Sequence, residues 1–178
     1  MELYHMTNMI KCVIAIKIKL LLFAILISGF SYGNTQVIGL KINESSLEDV
    51  KEIYNLKLKG ESTYSIDVSN IEINGVKNAF VGFYDNKLKV VGLKFNDDKF
   101  DYLFDILKEK YQLLDSETNR SSNRYAIFKN DGDLIIINSP FKSFYLEVTY
   151  VDEEYNKKVK KNVEDRKENL YLKDKINL

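Results

Sequence analysis

Residues 79–111 read AFVGFYDNKLKVVGLKFNDDKFDYLFDILKEKY, and this stretch decides the fold class. Apolar and polar residues alternate on both sides of Asp85-Asn86, which is typical of two antiparallel strands joined by a two-residue turn. The alternation slips by one position at Val90-Val91, and this slip predicts a β-bulge. Beyond the hairpin the period becomes that of an amphipathic α-helix, with apolar residues at Phe100, Leu103, Phe104, Leu107 and Tyr111. A hairpin followed by such a helix indicates an α+β protein.

Other segments of the chain show the same two patterns. Ser45-x-x-Glu48 matches a capping box and predicts that another amphipathic helix begins there. Asp97 or Asp98 is expected to cap the helix that follows the hairpin. Glu153–Asp174 is highly charged and has only a narrow apolar stripe, so it predicts a solvated C-terminal helix. Further strands are expected at Val37–Ile42, Tyr64–Val68, Ile71–Ile73, Arg124–Lys129, Asp133–Asn138 and Phe144–Val151.

These elements are expected to form one antiparallel sheet with both amphipathic helices on one face. Neither half of the chain could comfortably close a sheet over its own helix, so a joint core is the simplest arrangement. The units Leu47–Phe95 and Phe100–Val151 each contain a helix followed by strands, which fits a diverged tandem repeat. Their low residue identity leaves open whether the repeat arose by duplication. The predicted domain spans residues 34–152, with halves 34–96 and 97–152, and a charged helix or tail spans 153–178.

Residues 1–33 have the pattern of a secretory signal peptide. Lys17 and Lys19 precede the unbroken apolar run Leu20–Ile27, and Ser31 and Gly33 fit a small-x-small cleavage site. Cleavage there would leave a chain without cysteine in an oxidising compartment. A secreted eukaryotic domain of this size would usually carry disulfides, so the bacterial periplasm is the expected location. The charged residues within the segment disfavour a stable membrane anchor.

Composition excludes several classes of function. The formal net charge is zero, so the chain lacks the excess of basic residues that is typical of nucleic-acid binding. The single His and the single Cys, His5 and Cys12, both lie in the segment expected to be removed. Catalytic triads, Cys-His pairs and His-based zinc sites are therefore excluded from residues 34–178. We expect no cofactor and no enzymatic activity.

One polar loop is the candidate site for contact with a partner. Ser116–Asn123 separates two apolar segments, and Arg120 lies within it while Arg124 follows it directly. The chain has only three arginines, and the guanidinium group suits planar recognition of carboxylates better than an ammonium group does. Arg120 and Arg124 are therefore the candidate residues for contact with a periplasmic protein. A solvated connection between two strands is the alternative.

The layout resembles that of a group of uncharacterised secreted proteins from Gram-negative bacteria. The resemblance rests on Val37–Ile42, Ser45–Tyr54, Val91–Phe95 and Phe100-x-x-Leu103-x-x-x-Leu107-x-x-x-Tyr111, and spans most of residues 34–155. More distantly, the helix-plus-strands units are similar to those of the small lipoprotein of the outer-membrane barrel-assembly machinery and of secreted enzyme inhibitors. The chain differs from the lipoprotein because no cysteine follows the apolar run.

The sequence thus favours a periplasmic, non-enzymatic protein that binds another protein. An envelope accessory factor, an inhibitor and an immunity protein all belong to this class. The alternative is a carrier of a small ligand, with a pocket between the sheet and the helices. A filled core with exposed aromatic or arginine side chains would favour protein binding, whereas a sizeable apolar cavity would favour a carrier.

Overall fold

The computed structural model describes residues 35–177, so the predicted signal peptide, residues 1–33, lies outside the described residues. Short 3₁₀ turns lie at Val68–Asn70 and Asp97–Lys99. The helices are α1 (Leu47–Ile53), α2 (Phe100–Lys110) and α3 (Glu153–Asn177). The strands are β1 (Gln36–Val37), β2 (Leu40–Lys41), β3 (Leu56–Leu58), β4 (Thr63–Ile66), β5 (Asn78–Tyr84), β6 (Lys87–Asn96), β7 (Gln112–Glu117), β8 (Arg124–Asn130), β9 (Asp133–Ser139) and β10 (Tyr145–Asp152).

Eight strands form one antiparallel sheet in the order β3-β4-β5-β6-β10-β9-β8-β7, and β1 pairs with β2 in a small separate hairpin. The predicted α+β class is confirmed. Each of α1 and α2 is followed by four strands that pair in sequence. The last strands of the two sets, β6 and β10, pair at the centre of the sheet. Both halves thus have the same order of elements, while duplication stays a prediction.

A single hydrophobic core lies between the sheet and the two amphipathic helices. Val50 and Tyr54 from the α1 region and Phe100 and Leu107 from α2 belong to one buried cluster. Alternate residues of the central strands complete it, because successive side chains of a strand point to opposite faces. These strand residues are Ala79, Val81, Leu93, Phe95, Ala126, Phe128, Ile135, Ile137, Leu146 and Val148. The helices share one face of the sheet, as predicted.

The helix starts differ in detail from the prediction. At α1 the capping box is formed one residue later than Ser45-x-x-Glu48, by Ser46 and Asp49. The Ser46 hydroxyl accepts from the Asp49 amide at 3.1 Å, and the Asp49 carboxylate accepts from the Ser46 amide at 2.7 Å. The bond from the Ser46 amide lowers the pKa of Asp49. At α2 the prediction of an Asp97 or Asp98 cap is wrong, because both residues lie in the preceding 3₁₀ turn.

The strand prediction differs from the structure at several places, and backbone conformation explains the first of them. Val37–Ile42 is a tight hairpin and not one strand, because Ile38 and Gly39 have φ angles of 47° and 77°. Such angles reverse the chain. The expected strand Ile71–Ile73 is not formed. The edge strands β3 and β7 were not predicted. For β7 the reason is that its mostly exposed sequence, QLLDSE, lacks an alternation of buried and exposed residues.

The central hairpin confirms both of its predicted features, with a shift of one residue at the bulge. Asp85 and Asn86 have φ angles of 51° and 56°, as a two-residue hairpin turn requires. Gly82 pairs with Val90 and Phe83 pairs with Leu88, so the extra residue of the bulge is Lys89. The bulge re-aims Lys89, which then reaches Asn43 and Asp152.

Gly92 is required by the side chain that lies against it. A Cβ at Gly92 would be 2.0 Å from Cε1 of Phe80 on the neighbouring strand. The ring would have to move, so Gly92→Ala is expected to lower the free energy of unfolding by about 1–3 kcal/mol. Gly60→Ala is the control, since its Cβ would meet only Thr63 Cβ at 4.0 Å. Urea titrations should separate the two variants, and similar midpoints would contradict this packing.

Candidate binding surface

The two predicted contact residues, Arg120 and Arg124, both pair with Asp101 on α2. Arg120 lies in the loop after β7, and its guanidinium donates to Asp101 Oδ2 at 2.7 Å while the side chain remains 80% exposed. Arg124 begins β8, donates to Asp101 Oδ1 and is only 6% exposed. The predicted loop Ser116–Asn123 is shorter than expected, because β7 continues to Glu117.

Arg124 is a packing residue. The carbon of its guanidinium lies 3.8 Å from the ring centroid of Phe100, which is itself fully buried. Cation–π stacking of this kind stabilises a desolvated guanidinium. The hydrogen bond from Arg120, followed by the charge of Arg124, keeps the pKa of Asp101 below its usual value. Arg124 is thus held against α2, and contact with a partner stays a prediction for both Arg120 and Arg124.

Replacing each arginine separately should show that Arg124 contributes more to stability than Arg120 does. Arg124→Ala removes the stacked guanidinium and leaves a void beside Phe100, so we expect the free energy of unfolding to fall by about 1–3 kcal/mol. Arg120→Ala breaks only an exposed ion pair and should change it by less than about 0.5 kcal/mol. Chemical denaturation at low and high salt measures both. A larger loss of unfolding free energy for Arg120→Ala than for Arg124→Ala would contradict the assignment of Arg124 as the packing residue.

The surface that the sequence did not single out is the face of the sheet opposite α1 and α2, hereafter the open face. Between this face and the start of α3 lies a groove of about 540 Å³. Its floor combines apolar, aromatic and polar side chains from four strands. They are Val90 of β6, Tyr125 and Ile127 of β8, Ile136 and Asn138 of β9, and Glu147, Thr149 and Val151 of β10.

The first turns of α3 form the wall of the groove, through Tyr155, Asn156, Val159 and Lys160. Asp152 caps the helix by accepting from the Tyr155 amide at 2.8 Å. The rings of Tyr84 and Tyr155 lie 5.9 Å apart, and Lys158 Nζ lies 3.9 Å from the Tyr84 ring centroid. At the same end Lys129 pairs with Glu153 at 2.8 Å. These contacts fix the wall relative to the sheet, while the later turns of α3 are exposed.

Hydrogen bonds orient the polar side chains at the groove floor. The Tyr125 hydroxyl donates to Asp115 at 3.0 Å, and this bond raises the pKa of Tyr125. The Thr149 hydroxyl donates to Glu147 at 2.9 Å. Ile127 and Ile136 are directly opposite on paired strands and are only half-buried. The floor therefore offers apolar contact area together with oriented polar groups, the mixture that protein interfaces use.

A second hollow lies on the other side of the sheet, beneath α2. This cleft is about 230 Å³ and is bounded by Tyr102, Leu103 and Ile106 of α2 and by Ile73 of the loop before β5. Tyr150 lines its floor, and burial raises the pKa of the Tyr150 hydroxyl. The cleft is smaller than the roughly 300–1,000 Å³ typical of small-molecule pockets.

A buried polar cluster joins the start of the described chain to the sheet. Asp133 and Asp152 are 2% and 9% exposed, and the Asn43 amide donates to both carboxylates at 3.4 and 3.0 Å. Lys89 Nζ lies 3.5 Å from Asp152. The backbone amide of Thr35 donates to Asp133 at 3.1 Å. Neither carboxylate lines the groove or the cleft, so the pair lies apart from both hollows.

Within residues 35–177, no group of three or more His, Cys, Asp or Glu side chains is placed to hold a metal ion. In the same part of the chain, no helix combines the length and the apolar character that a membrane crossing needs.

The fold and its surfaces define an α+β protein whose sheet has one face covered by helices and one open face. No family model, curated protein or solved structure gives a significant match to this chain.

Proposed function

We propose that this chain is an exported periplasmic protein without enzymatic activity, and that it binds another protein through the open face. The observation that carries the proposal is the groove of about 540 Å³ between that face and α3. Its floor has apolar side chains that are only partly covered, although the opposite face of the same strands is fully packed.

The shape of the groove favours a protein as its occupant. A carrier encloses most of its ligand's surface, whereas this groove opens along the sheet between strands and one helix wall. Half-buried Ile127 and Ile136 offer a central apolar contact, and Tyr125 adds a rigid aromatic group with a polar end. Rigid aromatic side chains of this kind dominate the binding energy of protein interfaces.

The lining of the groove gives little support for catalysis. Among the described residues that line it, Glu147 is the one carboxylate and Lys160 is the one cation. Hydrolysis of a glycosidic bond commonly uses two carboxyl groups on opposite sides of the bond. Asp133 and Asp152, whose carboxylates share the Asn43 amide, are buried away from the groove.

The alternative function, a carrier of a small ligand, is favoured by the cleft beneath α2. Its wall of Tyr102, Leu103 and Ile106 is mostly apolar, and Lys110 at its edge could pair with an anionic group. A fluorescent fatty acid is a suitable probe. Saturable binding that is lost in Ile106→Lys but kept in Ile127→Lys would favour the carrier over protein binding.

The export part of the proposal has a direct test. Protein recovered from the periplasm of a Gram-negative host should have the intact mass of a chain that begins at Asn34. A full-length species that stays in the cytoplasm would contradict export, and it would leave the binding part to be judged by its own experiment.

Photocrosslinking in cells tests the binding surface. A benzophenone amino acid replaces Tyr125 on the open face or, as the matched control, Tyr102 of α2, which is 61% exposed and lies at the cleft on the opposite side of the sheet. We expect a discrete protein adduct from position 125 and none from position 102. The adduct is identified by mass spectrometry, and the purified partner is then titrated with this protein.

The titration decides the proposal, because an adduct alone can come from a chance encounter. Ile136→Lys should weaken the affinity at least about tenfold by placing a charge in the apolar floor. Tyr102→Lys should leave the affinity unchanged. Adducts from both positions, or equal affinities of both variants, would contradict binding through the open face.

A further inference from the structure

The loop between β9 and β10, residues 140–144, presents two phenylalanine side chains to solvent. Phe144 is 84% exposed, the highest value for a large apolar side chain in the described chain, and Phe141 is 50% exposed. Lys142 lies between them in sequence, with its ammonium 5.2 Å from the Phe141 ring centroid. Exposed apolar side chains that cluster in this way mark a surface for contact with an apolar partner or a membrane.

We propose that this loop inserts Phe141 and Phe144 into the surface of a phospholipid bilayer. The contact is reversible and differs from a stable anchor, because even a single myristoyl chain gives only marginal binding to a membrane. It does not depend on a partner in the groove of the open face, so it adds a second surface to the one already proposed.

The backbone of the loop is suited to this boundary, because hydrogen bonds within the protein satisfy several of its polar groups. The Ser143 amide donates to the Pro140 carbonyl at 2.9 Å. The Phe141 amide donates to Asn123 Oδ1 at 2.8 Å, and the Tyr145 amide donates to Ser143 Oγ at 3.0 Å. Backbone groups without partners are costly to bring into lipid. The same bonds hold the loop in one conformation, which lowers the entropic cost of binding.

The apolar area of the loop favours a bilayer over a protein as the partner. Two aromatic side chains bury at most about 500 Å² together, whereas a stable protein interface buries about 800 Å² on each partner. Polar Asn96, Asp97 and Asp98 line the hollow beside Phe144, so the apolar patch does not continue on that side. A bilayer needs no matching surface, because each ring that leaves water contributes separately.

Charge plays a small part at this loop. Lys142 is the one cation within residues 140–144, and exposed Asp98 lies at the neighbouring hollow, so their effects on a charged headgroup oppose each other. Four lysines crowd the first turns of α3 instead, namely Lys157, Lys158, Lys160 and Lys161. Adsorption of α3 to anionic lipid would be electrostatic and would be lost at high salt. Neutral phosphatidylcholine vesicles therefore isolate the contribution of the two rings.

Strand β9 separates the proposed lipid contact from the start of α3. The strand begins at Asp133, next to Gly132, whose carbonyl accepts from the Glu153 amide at 3.0 Å, and it ends at Ser139 before the loop. Its seven residues span roughly 20 Å. The lipid contact and the start of α3 thus lie at opposite ends of this strand.

Tryptophan fluorescence tests the insertion directly, because the chain has no tryptophan of its own. The protein used is residues 34–178, which contain the hydrophobic core of the described chain, since the apolar run at residues 20–27 would itself bind lipid. With phosphatidylcholine vesicles, the emission of Phe144→Trp should shift to shorter wavelength and should be quenched by bromine-labelled acyl chains. Tyr171→Trp replaces a ring of α3 that is 66% exposed, and this matched control should not respond.

Sedimentation with the same vesicles at millimolar lipid measures the affinity. Phe144→Ser should lower the partition coefficient at least about fivefold, because a ring no longer leaves water. Tyr171→Ser should leave the coefficient unchanged, and binding of the parent chain should persist at high salt. Thermal unfolding checks that Phe144→Ser still folds, as expected for a side chain exposed to this extent.

An unshifted emission from Phe144→Trp would overturn the inference, and so would equal losses of binding in Phe144→Ser and Tyr171→Ser. A benzophenone amino acid at position 144 that forms a discrete protein adduct in cells, without any response of Phe144→Trp to vesicles, would assign the loop to a protein partner instead. Crosslinking from position 125 tests the groove separately, so the failure of one surface is distinguishable from the failure of the other.

Discussion

Phe100→Ala should lower the free energy of unfolding by about 3–5 kcal/mol, as expected for truncation of a fully buried aromatic side chain. The ring is inaccessible to solvent and stacks on Phe104, with centroids 6.2 Å apart. The guanidinium of Arg124 also lies on the Phe100 ring and would lose its aromatic contact. Urea denaturation followed by circular dichroism measures the change.

Two comparisons make the Phe100 result specific. Tyr102→Ala on the same helix removes a ring that is 61% exposed and should cost less than about 1 kcal/mol. A double-mutant cycle between Phe100→Ala and Arg124→Ala should give a coupling of about 0.5–2 kcal/mol. Additive effects would show that the stacked geometry contributes nothing to stability.

Leu107→Ala is the second large expected effect, at about 2–5 kcal/mol. Leu107 is 3% exposed and packs against the sheet from the last turn of α2. The width of this expected range reflects how far the residues around the neighbouring cleft can close over the smaller alanine side chain. The measurement is again the midpoint and slope of a urea titration.

Lys108→Ala is the matched control for Leu107→Ala. Lys108 is the next residue of α2 and is exposed, with its ammonium 5.8 Å from the Phe104 ring centroid. A distant, solvated contact of this kind should change stability by less than about 0.5 kcal/mol. If both variants lost similar stability, the buried face of α2 would be assigned wrongly.

The sequence predicted the elements whose periodicity is strong. The buried stripe of α2 follows from apolar residues at helical spacing, and the hairpin at Asp85-Asn86 follows from alternation on both sides of a turn. Both patterns are local, so the amino-acid order alone specifies them. The one-residue shifts at Ser46 and Lys89 show the limit, because neighbouring residues of similar chemistry compete for the cap and the bulge.

The candidate site depended on contacts that no local pattern encodes. Arg124 was expected to be a contact residue for a partner because it follows a polar loop. Its contacts in the structure are with Asp101 and Phe100, which lie more than twenty residues earlier in the chain. Only the packing of α2 against β8 brings the three together. One pattern in the sequence does indicate the apolar side chains of the open face. The unbroken apolar run Leu134–Ile137 predicts a strand with apolar side chains on both faces.

The central pairing of β6 with β10 has a consequence for how the chain assembles. Each half ends in the strand that the other half needs, and the two strands pair along their length from Asn96–Tyr145 to Val90–Val151. Because these contacts join residues far apart in sequence, loop closure must precede them, and folding should be slow for a chain of this size. A chain cut between residues 96 and 97 should behave as a complementing pair, with fragments 34–96 and 97–178 that are poorly folded alone and restore the sheet when mixed.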